Sequence, residues 1–166
     1  MGTSVKNRVQ LEAQFNRAHI SRKDFEETQE YLSSFRSRHR YPLKRAILLA
    51  AIISYCRPFT ASRGGTHNKA TSVLSGNPRS ILSKQEYLLH DKLLSLRHEA
   101  LAHSSFDRKP TGRVTAIGTG FLVQSRPFDL LSESIDVKLF RSMCEKMKNY
   151  CIDRLFDLNR HLESTD

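Results

Sequence analysis

A chain of 166 residues with 39% hydrophobic content holds enough apolar side chain for one cored domain, which excludes wholesale disorder. The formal net charge of +10 and the pI near 9.9 favour an anionic partner such as RNA, DNA or an acidic protein, although basic proteins without such a ligand are common. The three cysteines, Cys56, Cys144 and Cys151, are odd in number and have no zinc-ligand spacing. They read as buried small side chains of a reduced, cytoplasmic protein, and no metal or other cofactor is expected.

In chain order, the N-terminal stretch has no signal-peptide core, and the longest apolar run, Ala46 to Tyr55, is too short to cross a bilayer. No membrane partner is expected. Between Val5 and His19, apolar residues at Val9, Leu11, Phe15 and Ala18 suggest a weakly amphipathic helix, loosely docked over residues 1–20. Ser21 then reads as the cap of a second helix. Asp24 or Glu26 falls in its first turn, and its apolar stripe runs through Phe25, Thr28, Tyr31, Leu32 and Phe35. The basic run Arg36-Ser37-Arg38-His39-Arg40, with Lys44 and Arg45 close behind, falls at a corner, because Tyr41-Pro42 breaks one helix and Pro42 opens the next. Two readings stand for it: a solvated helix end and a patch that touches phosphates.

Leu43 to Arg57 is apolar almost all round, which places it at the centre of a bundle. Residues 60–79 read as a long loop, holding Arg63, Lys69 and Arg79 within reach of a phosphate but without the P-loop pattern. Ser80 or Ser83 caps a fourth helix, and Glu86, three residues after Ser83, completes a capping box. Leu82, Leu89, Leu93, Leu96 and Ala100 face the core, and this helix is expected to run to about Ser104. Residues 113–124 carry β-branched side chains on either side of Gly118-Thr119-Gly120, as in a small hairpin. The last helix, about Ser134 to Leu162, sets Ile135, Leu139, Met143, Met147, Tyr150, Leu155, Leu158 and Leu162 near one face and needs partners along its whole side. The expected fold class is all-α: one domain over residues 1–166, a bundle of about five helices with a hairpin insert near 113–124.

The stretch that offers chemistry is Leu96-Arg97-His98-Glu99-Ala100-Leu101-Ala102-His103-Ser104. It holds one fixed cation and two titratable imidazoles. Zinc hydrolysis needs His-Glu-x-x-His, with the histidines four apart on one face. Here they are five apart, and the rings would diverge by about 140° on an ideal helix. Arg97 and His103 are six apart, roughly 9 Å of rise and about 120° of rotation. The length of the Arg side chain, an unwound last turn or a second copy of the helix must close that gap, and a two-fold axis would set two Arg and two His in one cleft. Such a cleft suits phosphodiester transesterification: Arg binds the non-bridging oxygens and His moves a proton near neutral pH. The plainer reading is a helix end whose last carbonyls are met by Arg97 and His103.

Leu96 to Ser104 resembles the signature of HEPN domains: Arg, four to six residues, then His, with a polar residue often after the Arg. The Ala-His-Ser ending and the hairpin-like insert look most like HEPN proteins of bacterial abortive-infection and toxin–antitoxin systems. The resemblance implies a helical homodimer with facing motifs, and a metal-independent endoribonuclease that leaves a 2′,3′-cyclic phosphate and a 5′-hydroxyl. It carries over Arg97 and His103 as the catalytic pair, with His98 at the polar position beside them. Glu99 and Ser104 within the motif are candidate substrate contacts, as are Arg63 and Lys69 in the long loop; Arg57 matches no motif and is only a further candidate contact. RNA is the implied partner, with an antitoxin or a nucleotidyltransferase as a further one. Some toxin-type members carry a Tyr two residues after the His; here Ser105 stands there, which puts regulation by a nucleotidyltransferase in doubt. The alternative is a HEPN module without catalysis that binds nucleic acid or a protein.

Overall fold

The computed structural model describes residues 2–61, 73–98, 111–125 and 128–164. Among these, five α-helices and one two-stranded ribbon are found: α1 (Gly2–Ser34), α2 (Tyr41–Cys56), α3 (Pro78–Ile81), α4 (Lys84–Leu96), β1 (Thr111–Ile117), β2 (Gly120–Ser125) and α5 (Val137–Glu163). The architecture is a helical bundle, as the apolar periodicity implies. The two strands pair antiparallel, Ile117 opposite Gly120 and Val114 opposite Val123. Gly118 takes φ 58 in the turn between them, a backbone conformation that glycine adopts without steric cost.

The organising helix is α1, 33 residues long. Ala18, Ser21, Phe25, Thr28 and Leu32 are all buried, and they recur at spacings of three and four. That is a coiled-coil-like seam in which small polar residues alternate with apolar ones. Thr28 Oγ1 donates back to the Asp24 carbonyl at 2.8 Å, so its hydroxyl is satisfied inside the helix. Two sequence expectations are corrected here. Residues up to 20 are not a separate helix, and Ser21 is not a cap: it lies within α1, fully buried. Ser21 has the side chain of a cap, and only the packing partners show that it belongs to the seam. Asp24 accordingly sits mid-helix and not in a first turn.

α5 runs antiparallel along α1. Arg141 donates to the Leu32 carbonyl, Cys144 Sγ to the Phe25 carbonyl at 3.2 Å, and Arg154 to the Gln14 side chain at 2.8 Å. α2 also lies antiparallel to α1, with Lys44 over the Phe35 ring and Arg57 beside Asp24 and Glu27. α2 buries one face only, through Leu48, Ala51, Ile52 and Tyr55, while Leu43 and Ile53 remain substantially exposed. The expectation of an all-round buried central helix therefore gives way: α1 is the element packed against both α2 and α5. α3 opens at Pro78 under an Asn77 cap, at the end of the stretch read as loop. α5 begins at Val137, where Asp136 accepts from the amides of Lys138 and Leu139, and not at Ser134, which turns the chain at φ 49. The Met143, Met147 and Leu158 stripe of α5 is core, and Cys56, Cys144 and Cys151 are buried free thiols.

α4 starts at the expected capping box. Ser83 Oγ accepts from the Glu86 amide, and the Glu86 carboxylate accepts from the Ser83 amide at 2.8 Å. The same carboxylate, only 2% exposed, also takes hydrogen bonds from Lys146 at 2.7 Å and Ser142 at 2.8 Å. One acid thus caps α4 and ties it to α5. Burial alone would raise its pKa, but the Lys146, Ser83 and Ser142 donors outweigh that and hold it down at about 2. Because this lies below the ordinary 4.5, the stabilisation is complete above pH 4.5 and is lost as pH falls toward 2. Glu86→Gln is expected to destabilise the fold by about 2 kcal/mol at neutral pH. It should also leave a shallower acid limb than the parent between pH 4.5 and 2, both read from urea denaturation.

Candidate functional site

Arg97 follows directly on α4 and is half-buried; His98 beside it is exposed. The Arg97 amide donates to the carbonyls of Leu93 and Leu94 together, and the helix passes into a π-type turn at Arg97 and His98. Such departures from α geometry are rare and recur at functional sites. The offsets drawn from an ideal helix consequently stop applying at Arg97. His103, Glu99 and Ser104 lie outside the described residues, as do Arg63 and Lys69.

What places Arg97 is the joint between α2 and α4. Tyr55 and Cys56 end α2 with both side chains fully buried. The Tyr55 hydroxyl is 2.9 Å from Nδ1 of His90, and the Cys56 thiol reaches the Leu93 carbonyl at 3.6 Å. The His90 ring stands edge-on to Phe59 at 4.6 Å and to Tyr55 at 5.9 Å. These contacts fall seven and four residues before Arg97, so they set the rotation of the helix that delivers it. Burial pushes the Cys56 thiol up to about 12, and the Arg97 charge opposes the rise. Arg97 therefore stands within electrostatic range of Cys56, the residue before Arg57. Two of the sequence-derived site residues, Arg97 and Arg57, are in this way brought to the same end of α2.

Arg57 is held by acids. Its Nη1 lies 2.5 Å from Glu27 and 3.3 Å from Asp24, and its own carbonyl accepts from Arg17 at 2.9 Å. Glu27 also accepts from Ser54 and from Tyr31, both at 2.9 Å. Burial works against the Glu27 carboxylate, but the Ser54 and Tyr31 hydrogen bonds and the Arg57 charge hold it below its ordinary value. Burial dominates at Asp24 and raises it, with Arg57 opposing. Sequence reading missed this cluster. The available signal was the spacing of Asp24 and Glu27, three apart and beside the seam residues Phe25 and Thr28 on α1. Among the described residues no group of His, Cys, Asp and Glu has the arrangement of a metal site, and no helix is long and apolar enough to cross a membrane.

No family model matches this chain, and comparison with curated proteins and with solved structures finds no match. The geometry therefore carries the functional argument alone. Its central part is a neutral imidazole locking the helix that presents Arg97.

Burial pushes the His90 pKa below the ordinary 6.5, with Asp91 opposing. The unfolded chain then takes up the proton before the folded one, so stability is full above pH 6.5 and declines as pH falls through that value. His90→Phe should remove this component of the acid sensitivity, seen as a smaller change in urea midpoint between pH 7.5 and 5.5. Tyr55→Phe should cost about 1 kcal/mol at pH 7.5 through the lost hydrogen bond, measured in the same titration.

Proposed function

We propose that this protein is a HEPN-type, metal-independent endoribonuclease of a bacterial defence or toxin–antitoxin system, working at a composite site formed by two copies of the chain. The observation that carries the reading is the position of Arg97. It opens the Arg-x5-His motif where α4 leaves regular helix geometry, half-buried, on a helix locked to α2 by the Tyr55–His90 pair. A helix end formed only for solvation has no need of that lock. The net charge of +10 agrees with a polyanionic substrate.

In this mechanism Arg97 contacts the non-bridging phosphate oxygens and offsets the charge that builds in the transition state. His103 transfers protons. The ribose 2′-oxygen loses its proton and forms a bond to the adjacent phosphorus. The bond from phosphorus to the 5′-oxygen breaks, and that oxygen leaves as a hydroxyl once protonated. The products are a 2′,3′-cyclic phosphate and a 5′-hydroxyl, and no water or redox partner enters this step. His98 orients the phosphate or His103 from the polar position beside Arg97. A second copy supplies the facing Arg and His, which removes the need for one helix to bring both tips together.

The purified protein should cleave mixed cellular RNA in excess EDTA and leave cyclic-phosphate ends. Arg97→Ala and His103→Ala should each lower the rate by about 100-fold or more while circular dichroism and oligomeric state stay unchanged. A His103→Ala protein as active as the parent would overturn the catalytic assignment. If none of the three cleaves, yet RNA binding falls steeply with salt, the protein is a binding module without catalysis.

A further inference from the structure

The positive charge of this chain is segregated. Of its 27 Lys and Arg, ten lie between Tyr31 and Gln85, a stretch with no Asp or Glu; the other 17 are matched by the 17 acidic residues elsewhere. The whole net charge therefore comes from this one stretch. Folding then neutralises part of it and leaves part open. Arg57 is paired with Asp24 and Glu27, and Arg79 lies over the Tyr87 ring at 4.7 Å. At the corner between α1 and α2 the situation differs. Arg36, Arg38 and Arg40 are exposed and Lys44 and Arg45 half-exposed. Among the described residues, none of these five has a carboxylate within salt-bridge distance.

The corner also holds a fixed aromatic ring. Tyr41 is 52% exposed, yet its hydroxyl is bonded to Asp129 Oδ1 at 3.1 Å. Asp129 is engaged further by the Leu131 amide at 3.0 Å. Arg45 stands within electrostatic range of the Tyr41 hydroxyl. Two of the cations are oriented as well: Arg36 donates to the Ser33 carbonyl, and Lys44 sits over the Phe35 ring at 5.6 Å. A solvated helix end has no use for an aromatic ring pinned in water. Cations that follow the phosphate backbone and an aromatic ring on which a base can stack are the two features that single-strand recognition combines.

We propose that the α1–α2 corner is a docking surface for single-stranded nucleic acid, with Arg36, Arg38, Arg40, Lys44 and Arg45 on its phosphates and Tyr41 stacked on a base. Only the identity of the strand as RNA rests on the nuclease reading; the docking does not. α2, with 16 residues, is about 24 Å long and separates this corner from Arg57 and Arg97. The surface thus holds a strand several nucleotides away from the bond to be cut, which gives long substrates an advantage over short ones.

The test is fluorescence anisotropy of labelled oligothymidylate, about 16 nucleotides long, titrated with the full chain between 50 and 200 mM salt. This probe lacks the 2′-hydroxyl, so it reports binding whether or not the protein is a nuclease. The triple change Arg36→Gln, Arg38→Gln, Arg40→Gln should weaken binding at least ten-fold and reduce the salt slope by about two units, at about 0.7 per phosphate contact. Tyr41→Leu should weaken binding about five-fold or more with the slope unchanged, and Tyr41→Phe, which keeps the ring but loses its bond to Asp129, should bind more tightly than Tyr41→Leu and less tightly than the parent. A control that removes three charges elsewhere, Lys23→Gln, Arg22→Gln and Arg160→Gln, should leave both nearly unaltered. Equal losses in the two triple variants would overturn the proposal in favour of diffuse charge. Binding to phosphatidylserine vesicles without binding to the oligonucleotide would overturn it in favour of a lipid surface. Retained oligothymidylate docking alongside absent RNA cleavage would sink the nuclease reading and leave this one intact.

Discussion

A helix of 33 residues is about 50 Å long, and its polar backbone is satisfied at every turn, but its side chains stay in place only if something covers them. In this protein that cover is the antiparallel contact of α1 with α5, joined by α2 along the second half of α1. The seam from Ala18 to Leu32 is buried throughout, and Cys144 of α5 reaches across it to the Phe25 carbonyl at 3.2 Å. α2 and α4 are hung from this pair of long helices. α2 is anchored to it at both ends, through Lys44 over Phe35 and Arg57 between Asp24 and Glu27. α4 is anchored through Glu86, whose carboxylate closes the cap and accepts from α5 in the same stroke.

The site inherits its precision from these anchors. α4 is gripped at its start by Glu86 and near its end by His90 and Leu93, on two different neighbours. A helix held at two points has no freedom to rotate, and the side chain that follows emerges in a defined direction. Keeping His90 neutral matters to this arrangement. A charged imidazole in that apolar pocket would face a desolvation cost with only Asp91 to offset it. The joint is therefore built from packing and two neutral hydrogen bonds, which carry no charge for salt to screen, while the proposed recognition of phosphate is salt-dependent throughout.

The two proposed surfaces occupy different ends of α2. At its C-terminal end Asp24 and Glu27 engage Arg57, and the Cys56 thiol reaches the Leu93 carbonyl, one helix turn before Arg97. At its N-terminal end five cations have no acidic partner among the described residues, and Tyr41 is held in place among them by Asp129. A short apolar helix of about 24 Å thus separates the proposed docking surface from the proposed nuclease site. The segregated charge lies at a corner because the chain leaves helix geometry over residues 35–40, between the end of α1 at Ser34 and the start of α2 at Tyr41.

Much of the fold was legible beforehand because local physics writes it in short patterns. The capping box at Ser83 and Glu86, the proline that opens α2 and the apolar stripe of α5 are set by neighbours three or four residues away, and the structure contains each of them. The basic corner is legible in the same way, as a run of cations before the proline of α2. Ser21 was misread because a serine that caps a helix and a serine that lines a helix seam have the same side chain; the difference is whether α5 and α2 lie across from it. The partners of Arg57 and the lock on His90 were invisible for the same reason. Asp24 and Arg57, or Tyr55 and His90, are more than thirty residues apart, and no periodicity links them. The sequence by itself determined that this chain forms amphipathic helices, where most of them start, and that it carries an excess of positive charge. The tertiary structure alone decided which of those charges are cancelled and which side chain orients Arg97, because those outcomes depend on contacts between elements that the local chain does not encode.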